Sequence, residues 1–115
     1  MSFKTKVNMI TIMPPKKPST LEKTRQRNIL RFLNALPNCR AEVRTQTGYN
    51  IKGGADILGC INGRHFELEV KQPGKRPTLL QVKWLADWME CGAVTGVVED
   101  VETTIKVFQA HGIDL

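Results

Sequence analysis

Asp56, Glu69 and Lys71 are the residues of this 115-residue chain whose types and spacing indicate chemistry. Asp56 opens one short apolar run, Glu69 and Lys71 close the next, and the turn signal Asn62-Gly63 separates the two runs. A tight turn there predicts an antiparallel hairpin in which Asp56 and Glu69 lie side by side. Because adjacent carboxylates repel unless a cation lies between them, and oxygen ligands suit Mg²⁺ or Mn²⁺, the pattern predicts a divalent metal site.

The run from residue 66 to residue 71 alternates apolar and charged side chains. Alternate side chains of a strand point to opposite faces, so Glu67, Glu69 and Lys71 share one face. A lysine one position further along that face can reach a phosphate or an attacking water. Two carboxylates and such a lysine are the groups that metal-assisted phosphodiester hydrolysis requires. The alternative is a solvated strand face, because Glu-x-Lys alone is a common tripeptide. The presence of Asp56 and of the intervening turn favours the catalytic interpretation.

This combination of residues resembles the PD-(D/E)XK nuclease superfamily. Asp56, Glu69 and Lys71 match its pattern, and two glycines precede the aspartate. Ala55 stands where the family often has proline. A proline there stiffens the backbone but ligates nothing, so the departure does not indicate a loss of activity.

The wider pattern includes Glu22 on an early helix and Gln81 at the start of the helix that follows the lysine. With these residues the chain resembles the VRR-NUC (virus-type replication-repair nuclease) family, in the short stand-alone form carried by phages, over about residues 21–111. The resemblance implies a divalent-metal-dependent DNA endonuclease that cuts nicked, flapped or branched DNA in replication or repair. It also implies a bacterial host cytoplasm as the compartment if the chain is phage-encoded.

The resemblance further assigns a role to each residue of the pattern. Lys71 orients the attacking water or stabilises the charge that develops on the phosphate. Glu22 holds a water beside the metal or a second ion, and Gln81 orients Lys71 or a bound water. The metal ligands implied are Asp56, Glu69, the Val70 carbonyl and Glu22.

Glu22 and Gln81 also permit a purely structural interpretation. Glu22 lies three residues after Ser19 and Gln81 three residues after Thr78, which is the spacing of a helix capping box. Each also lies on the apolar face of its helix, where an inward polar group needs a partner that a metal site would supply. The family pattern favours the active-site interpretation for Glu22, and for Gln81 both interpretations stay open.

The elements that position these residues alternate between helical and extended patterns. They predict an α/β sandwich with a mixed central sheet of about four strands flanked by helices, in the order αβββαβ plus a C-terminal helix. The last strand follows a helical crossover and should pair in parallel with its neighbour. The domain is predicted over residues 20–115, after an N-terminal arm over residues 1–19. Outside the hairpin, helices are predicted at 21–36, 78–90 and 101–110, and strands at 40–47 and 93–98.

The charge balance favours a polyanionic partner. The formal net charge is +6 and the pI is about 9.5, which is typical of nucleic-acid-binding domains. DNA is therefore the expected partner, and the candidate phosphate contacts are Arg44, Lys52, Lys75 and Arg76.

The cysteines and the apolar segments predict a compartment and an assembly state. Cys39, Cys60 and Cys91 are odd in number and widely spaced, which argues against a disulfide framework or a zinc site and favours a reducing cytoplasm. Cys60 is predicted to be a small core residue. The helix with Trp84, Leu85 and Trp88 on its apolar face is predicted to use its tryptophans in the core or in a dimer interface. A chain of this size is not expected to bury both that helix and an apolar strand at residues 7–13 alone, which predicts a homodimer. No stretch reaches the length of a membrane span.

Two rival functions remain at the level of the sequence. A DNA-binding module that keeps the fold but does not cut would be marked by loss of the aspartate, glutamate or lysine, and none of them is lost. A restriction-type endonuclease needs further segments to read base edges in the major groove, and 115 residues leave little room for them.

Overall fold

The structure, a computed structural model, describes residues 20–45 and 53–115, without the side chain of Thr20. The predicted arm with its strand at residues 7–13, the Ser19 cap and Lys52 lie outside these residues. The order of elements is the predicted one, and the bounds are α1 (Thr20–Asn34), β1 (Cys39–Val43), β2 (Ile57–Ile61), β3 (Arg64–Val70), α2 (Leu79–Glu90), β4 (Val94–Val98) and α3 (Val101–Ala110).

The four described strands form one mixed sheet in the order β1-β2-β3-β4. The first three strands are antiparallel, and β4 pairs in parallel with β3, as the helical crossover predicts. Asn62 and Gly63 both have positive φ, at 50° and 82°, which is the backbone that a two-residue hairpin turn requires. The hairpin register pairs Ile57 with Leu68, so Asp56 and Glu69 occupy the next step of the ladder.

One face of the sheet is covered by α1 and α3. Its core contains Ile29 and Leu33 from α1, Phe66 and Leu68 from β3, and Phe108 from α3, whose ring meets the Phe66 ring edge-on at 5.3 Å. Gly59 of β2 lies beneath the Phe66 ring, where a Cβ atom would overlap it.

The other face is covered by α2 over β3 and β4. Val82 and Leu85 are fully buried and pack with Ala55 and with the half-buried Trp84. Among the described residues, no helix is long and apolar enough to cross a membrane.

Two burial predictions are wrong. Cys60 is exposed, because it lies between Arg40 and His65 on the sheet face that points away from the α1 core. Trp88 is 36% exposed, because its ring stacks on the His65 ring at a centroid distance of 4.2 Å at the surface and not on the apolar interior.

The end of α1 differs from the prediction by two residues. The Asn34 amide donates a 3.0 Å hydrogen bond to the Ala41 carbonyl, and the Ala41 amide donates one of 2.8 Å back to Asn34 Oδ1. The side chain of Asn34 thereby acts as a partner for the β1 backbone, and the helix ends there.

Candidate active site

The hairpin brings Asp56, Glu69 and Lys71 together at one end of β2 and β3. The Val70 amide donates a 2.8 Å hydrogen bond to Asp56 Oδ2, which fixes the carboxylate beside the end of β3. Lys71 Nζ lies 3.6 Å from Glu69 Oε2. The Lys71 amide also donates to the Val98 carbonyl at 2.9 Å, so pairing with β4 holds the lysine backbone.

This strand face is buried, which is contrary to the alternative of a solvated charged strand. Glu69 is 1% exposed and Lys71 is 7% exposed. Burial raises the pKa of Glu69 well above its ordinary value, and the charge of Asp56 raises it further, while Lys71 acts in the opposite direction. Lys71 is the cation already beside this carboxylate, at 3.6 Å, and a divalent ion would favour the charged form of Glu69 further.

The donor set at this point fits a hard divalent cation. Glu69 Oε1 is buried and has no hydrogen-bond partner among the described residues, and a buried acceptor left unpaired is costly. Within residues 20–45 and 53–115, no three His, Cys, Asp or Glu side chains converge as a ligand set. The side-chain donors are therefore two carboxylates, which is the number with which Mg²⁺ is often held alongside water and substrate oxygens.

Glu22 is buried in the first turn of α1. It does not join Asp56 and Glu69 in a three-carboxylate cluster in the described structure. Its predicted capping partner, Ser19, lies outside the described residues, so the two interpretations of Glu22 both stay open.

Gln81 takes part in a capping box at the start of α2. The Thr78 amide donates to Gln81 Oε1 at 2.8 Å, and the Gln81 amide donates to Thr78 Oγ1 at 3.2 Å. The capping interpretation is therefore confirmed, and the side-chain oxygen of Gln81 has a structural partner.

Arg44 is bound inside the protein through Glu67, a residue to which the sequence analysis assigned no function. Arg44 Nη2 donates to Glu67 Oε1 at 2.6 Å, and the Trp84 indole Nε1 donates to the same oxygen at 2.6 Å. His65 Nε2 lies 2.6 Å from Glu67 Oε2. The sequence signal that could have identified this role of Glu67 is Trp84 on the inward side of α2, because a buried indole N–H requires an acceptor.

The other candidate phosphate contacts lie on the loop that leaves β3. Arg76 is exposed and Lys75 is half-buried, and the Lys75 amide donates to the Gln72 carbonyl at 3.0 Å. These two residues follow Lys71 closely along the chain, whereas the guanidinium of Arg44 is directed to Glu67.

The chain folds as an α/β domain in which a β-hairpin places an aspartate beside a Glu-x-Lys strand end. A solved structure described as a VRR_NUC domain superposes on the chain with a TM-score of 0.64 and 22% sequence identity. The superposition covers 79% of this chain and 97% of that one. No family model matches the chain, and no curated protein matches it significantly. The predicted VRR-NUC resemblance is thus confirmed in the fold.

Proposed function

We propose that this protein is a divalent-metal-dependent DNA endonuclease that hydrolyses phosphodiester bonds, selective for nicked, flapped or branched DNA in replication or repair. One observation carries the proposal. Asp56 and the buried Glu69 lie beside each other at the end of the hairpin, with the Lys71 ammonium 3.6 Å from Glu69 and with Glu69 Oε1 unpaired among the described residues. The VRR_NUC fold supports this choice of reaction.

In this proposal Asp56 and Glu69 hold Mg²⁺ or Mn²⁺, with the Val70 carbonyl as a third protein ligand and Glu22 acting through a water. The bound ion would polarise a phosphoryl oxygen and make a water more acidic. Lys71 presents a cation where negative charge develops on the phosphate, and its burial strengthens that interaction.

The substrate class rests on charge. A net charge of +6 favours DNA, and the basic residues Lys75 and Arg76 follow the strand that carries the site. Selectivity for branched shapes rests on the family resemblance.

A homodimer would place two such sites on two strands of one substrate. Leu79, Leu80 and Trp88 expose apolar surface on α2, at 63%, 55% and 36% respectively, which supports an interface on this helix. Light scattering at micromolar concentration tests the assembly, and a 13.0 kDa species with and without DNA would contradict it.

The function is tested with a panel of matched DNA substrates: linear duplex, nicked duplex, flap and four-way junction. Each is incubated with Mg²⁺, with Mn²⁺ and with a chelator. Cleavage of the discontinuous or branched substrates that requires the divalent ion supports the proposal. Tight DNA binding without cleavage under every ion condition would instead support the non-cutting module.

A further inference from the structure

Glu67 is a fully buried carboxylate that the proposed chemistry does not use. It lies on the same face of β3 as Glu69, and it is 0% exposed. Its two oxygens have three partners: Arg44, which follows β1, and Trp84 of α2 at Oε1, and His65 of β3 at Oε2, all at 2.6 Å. Burying a charge is costly unless it is paired in this way, so the cluster fixes both the carboxylate and its partners.

Arg44 connects this carboxylate to the backbone at the candidate metal site. Arg44 Nε donates to the Ala55 carbonyl at 3.0 Å, and the Arg44 backbone amide donates to the Asp56 carbonyl at 2.7 Å. The guanidinium also lies over the Trp84 ring, at 4.8 Å from its centroid. The peptide that carries Asp56 is therefore held by Arg44 through both main-chain and side-chain hydrogen bonds.

The geometry requires the planar fork of an arginine. Nε donates to the Ala55 carbonyl while Nη2 donates to Glu67, so one rigid group spans a backbone carbonyl and a buried carboxylate. A lysine keeps the charge, but its single nitrogen cannot take both positions. Glu67 in turn fixes the rotation of the fork, and the Trp84 and His65 donors fix Glu67.

We infer that Arg44 and Glu67 are positioning residues that hold the Asp56 carboxylate in place for metal binding. The inference rests on the proposed function, because it concerns the same metal site. Arg44 fixes the main chain of residues 55 and 56, and the Val70 amide fixes the Asp56 side chain at 2.8 Å. Together these contacts hold the Asp56 carboxylate at the end of β3, beside Glu69. In this role Arg44 is not a phosphate contact.

The test compares Arg44→Lys with Arg64→Lys as a matched control. Arg64 also bridges backbone carbonyls, with Nε donating to Gly92 at 2.9 Å and Nη1 to His111 at 2.8 Å, but it lies at the opposite end of β3. Both variants keep the positive charge and replace a guanidinium that makes two hydrogen bonds, so both report the general effect on stability of removing such a group. Circular dichroism melts establish that each variant is folded.

The readouts are Mn²⁺ affinity by calorimetry and metal-free DNA affinity by fluorescence anisotropy. Arg44→Lys should weaken Mn²⁺ binding by about 10-fold or more, as outer-shell changes at metal sites commonly do, and leave DNA affinity unchanged. Arg64→Lys should leave both unchanged. If Arg44→Lys does not fold, Glu67→Gln takes its place, because glutamine keeps the shape of the side chain and one acceptor oxygen. Glu67→Gln should also weaken Mn²⁺ binding.

Three results would overturn the inference. Equal Mn²⁺ affinity of the Arg44 and Arg64 variants would reject positioning while leaving the proposed nuclease intact. A loss of DNA affinity with unchanged Mn²⁺ affinity would make Arg44 a phosphate contact. Absence of both Mn²⁺ binding and cleavage in the unmodified protein would reject the proposed function itself, and the inference with it.

Discussion

The backbone amide of Val70 donates a 2.8 Å hydrogen bond to the Asp56 carboxylate across the hairpin. This bond places the aspartate next to Glu69, which is 1% exposed and carries an unpaired oxygen within the described part of the chain. The same bond satisfies Asp56 Oδ2. Burial and the Asp56 charge raise the pKa of Glu69, and a cation bound between the two carboxylates would oppose that rise.

The first prediction concerns the stability of the protein without divalent ions. Burial and the Asp56 charge raise the pKa of Glu69, so the folded state holds this proton more tightly than the unfolded state does. The free energy of unfolding therefore falls as pH rises from the pKa of Glu69 in the unfolded state to its higher pKa in the folded state. Above the folded-state pKa the full destabilisation applies. Glu69→Gln should be more stable than the unmodified protein by about 1 kcal/mol at pH 8 and show no advantage at pH 4.

Urea unfolding at both pH values measures this difference, with Glu42→Gln on the exposed part of β1 as the control. Saturating Mn²⁺ should reverse the order, because an ion that binds only the folded state stabilises it. A Glu69→Gln variant that is less stable at pH 8 without metal would contradict the account of the carboxylate pair.

The second prediction concerns the cap of α2. Thr78→Ala removes the acceptor for the Gln81 amide and should cost about 1 kcal/mol of unfolding free energy. Gln81→Glu should keep full stability, because glutamate serves the capping box as well and suits the helix N-terminus. Urea unfolding tests both variants. A stable Gln81→Glu variant with impaired cleavage would show that the amide also acts on the chemistry.

The third prediction concerns His111, whose Nε2 lies 3.2 Å from the Thr95 carbonyl. Burial, together with the Arg64 charge, lowers the pKa of His111 against the opposing effect of that hydrogen bond. The unfolded state therefore binds the proton first as pH falls below about 6.5, and stability decreases there. Because the ring is only half-buried, the effect should stay below about 1 kcal/mol. The unfolding free energy of His111→Gln should lack this decrease between pH 7.5 and 5. Parallel pH curves for the variant and the unmodified protein would show that His111 does not cause it.

The sequence predicted the site geometry well where that geometry is local. The Asn62-Gly63 turn sets the hairpin register, and the alternation along β3 separates the core face from the face with Glu69 and Lys71. Both features depend on residues within a few positions of each other. The capping residues of α2 are predictable for the same reason.

What the sequence did not predict depends on packing between distant elements. Glu67 meets Trp84 and Arg44 across separations of 17 and 23 residues, and no local pattern encodes those contacts. The predicted burial of Cys60 and Trp88 was wrong for a related reason. Apolar character does not reveal which part of a sheet face a helix covers.

The fourth prediction concerns DNA affinity. If Lys75 and Arg76 contact phosphates, changing both to alanine should reduce the slope of log affinity against log salt by about 1 to 2. Lys83 and Lys106 are exposed lysines that pair with Asp87 and Glu102, so their double alanine variant is a control of equal charge. Anisotropy titrations across a salt series measure both slopes. Equal slopes for the two double variants would place the DNA contacts elsewhere.

The most direct test of the proposed metal site pairs calorimetric metal titration with single-turnover cleavage for Glu69→Gln and Lys71→Ala. Glu69→Gln should lose Mg²⁺ binding and nearly all cleavage, because it removes the charge of a ligand. Lys71→Ala should bind metal as tightly as the unmodified protein, or more tightly, since a neighbouring cation 3.6 Å from Glu69 is gone. It should still lose cleavage by about 100-fold or more, because its contact is strongest in the transition state. Undiminished cleavage by Glu69→Gln, or cleavage by the unmodified protein without any divalent ion, would contradict the account.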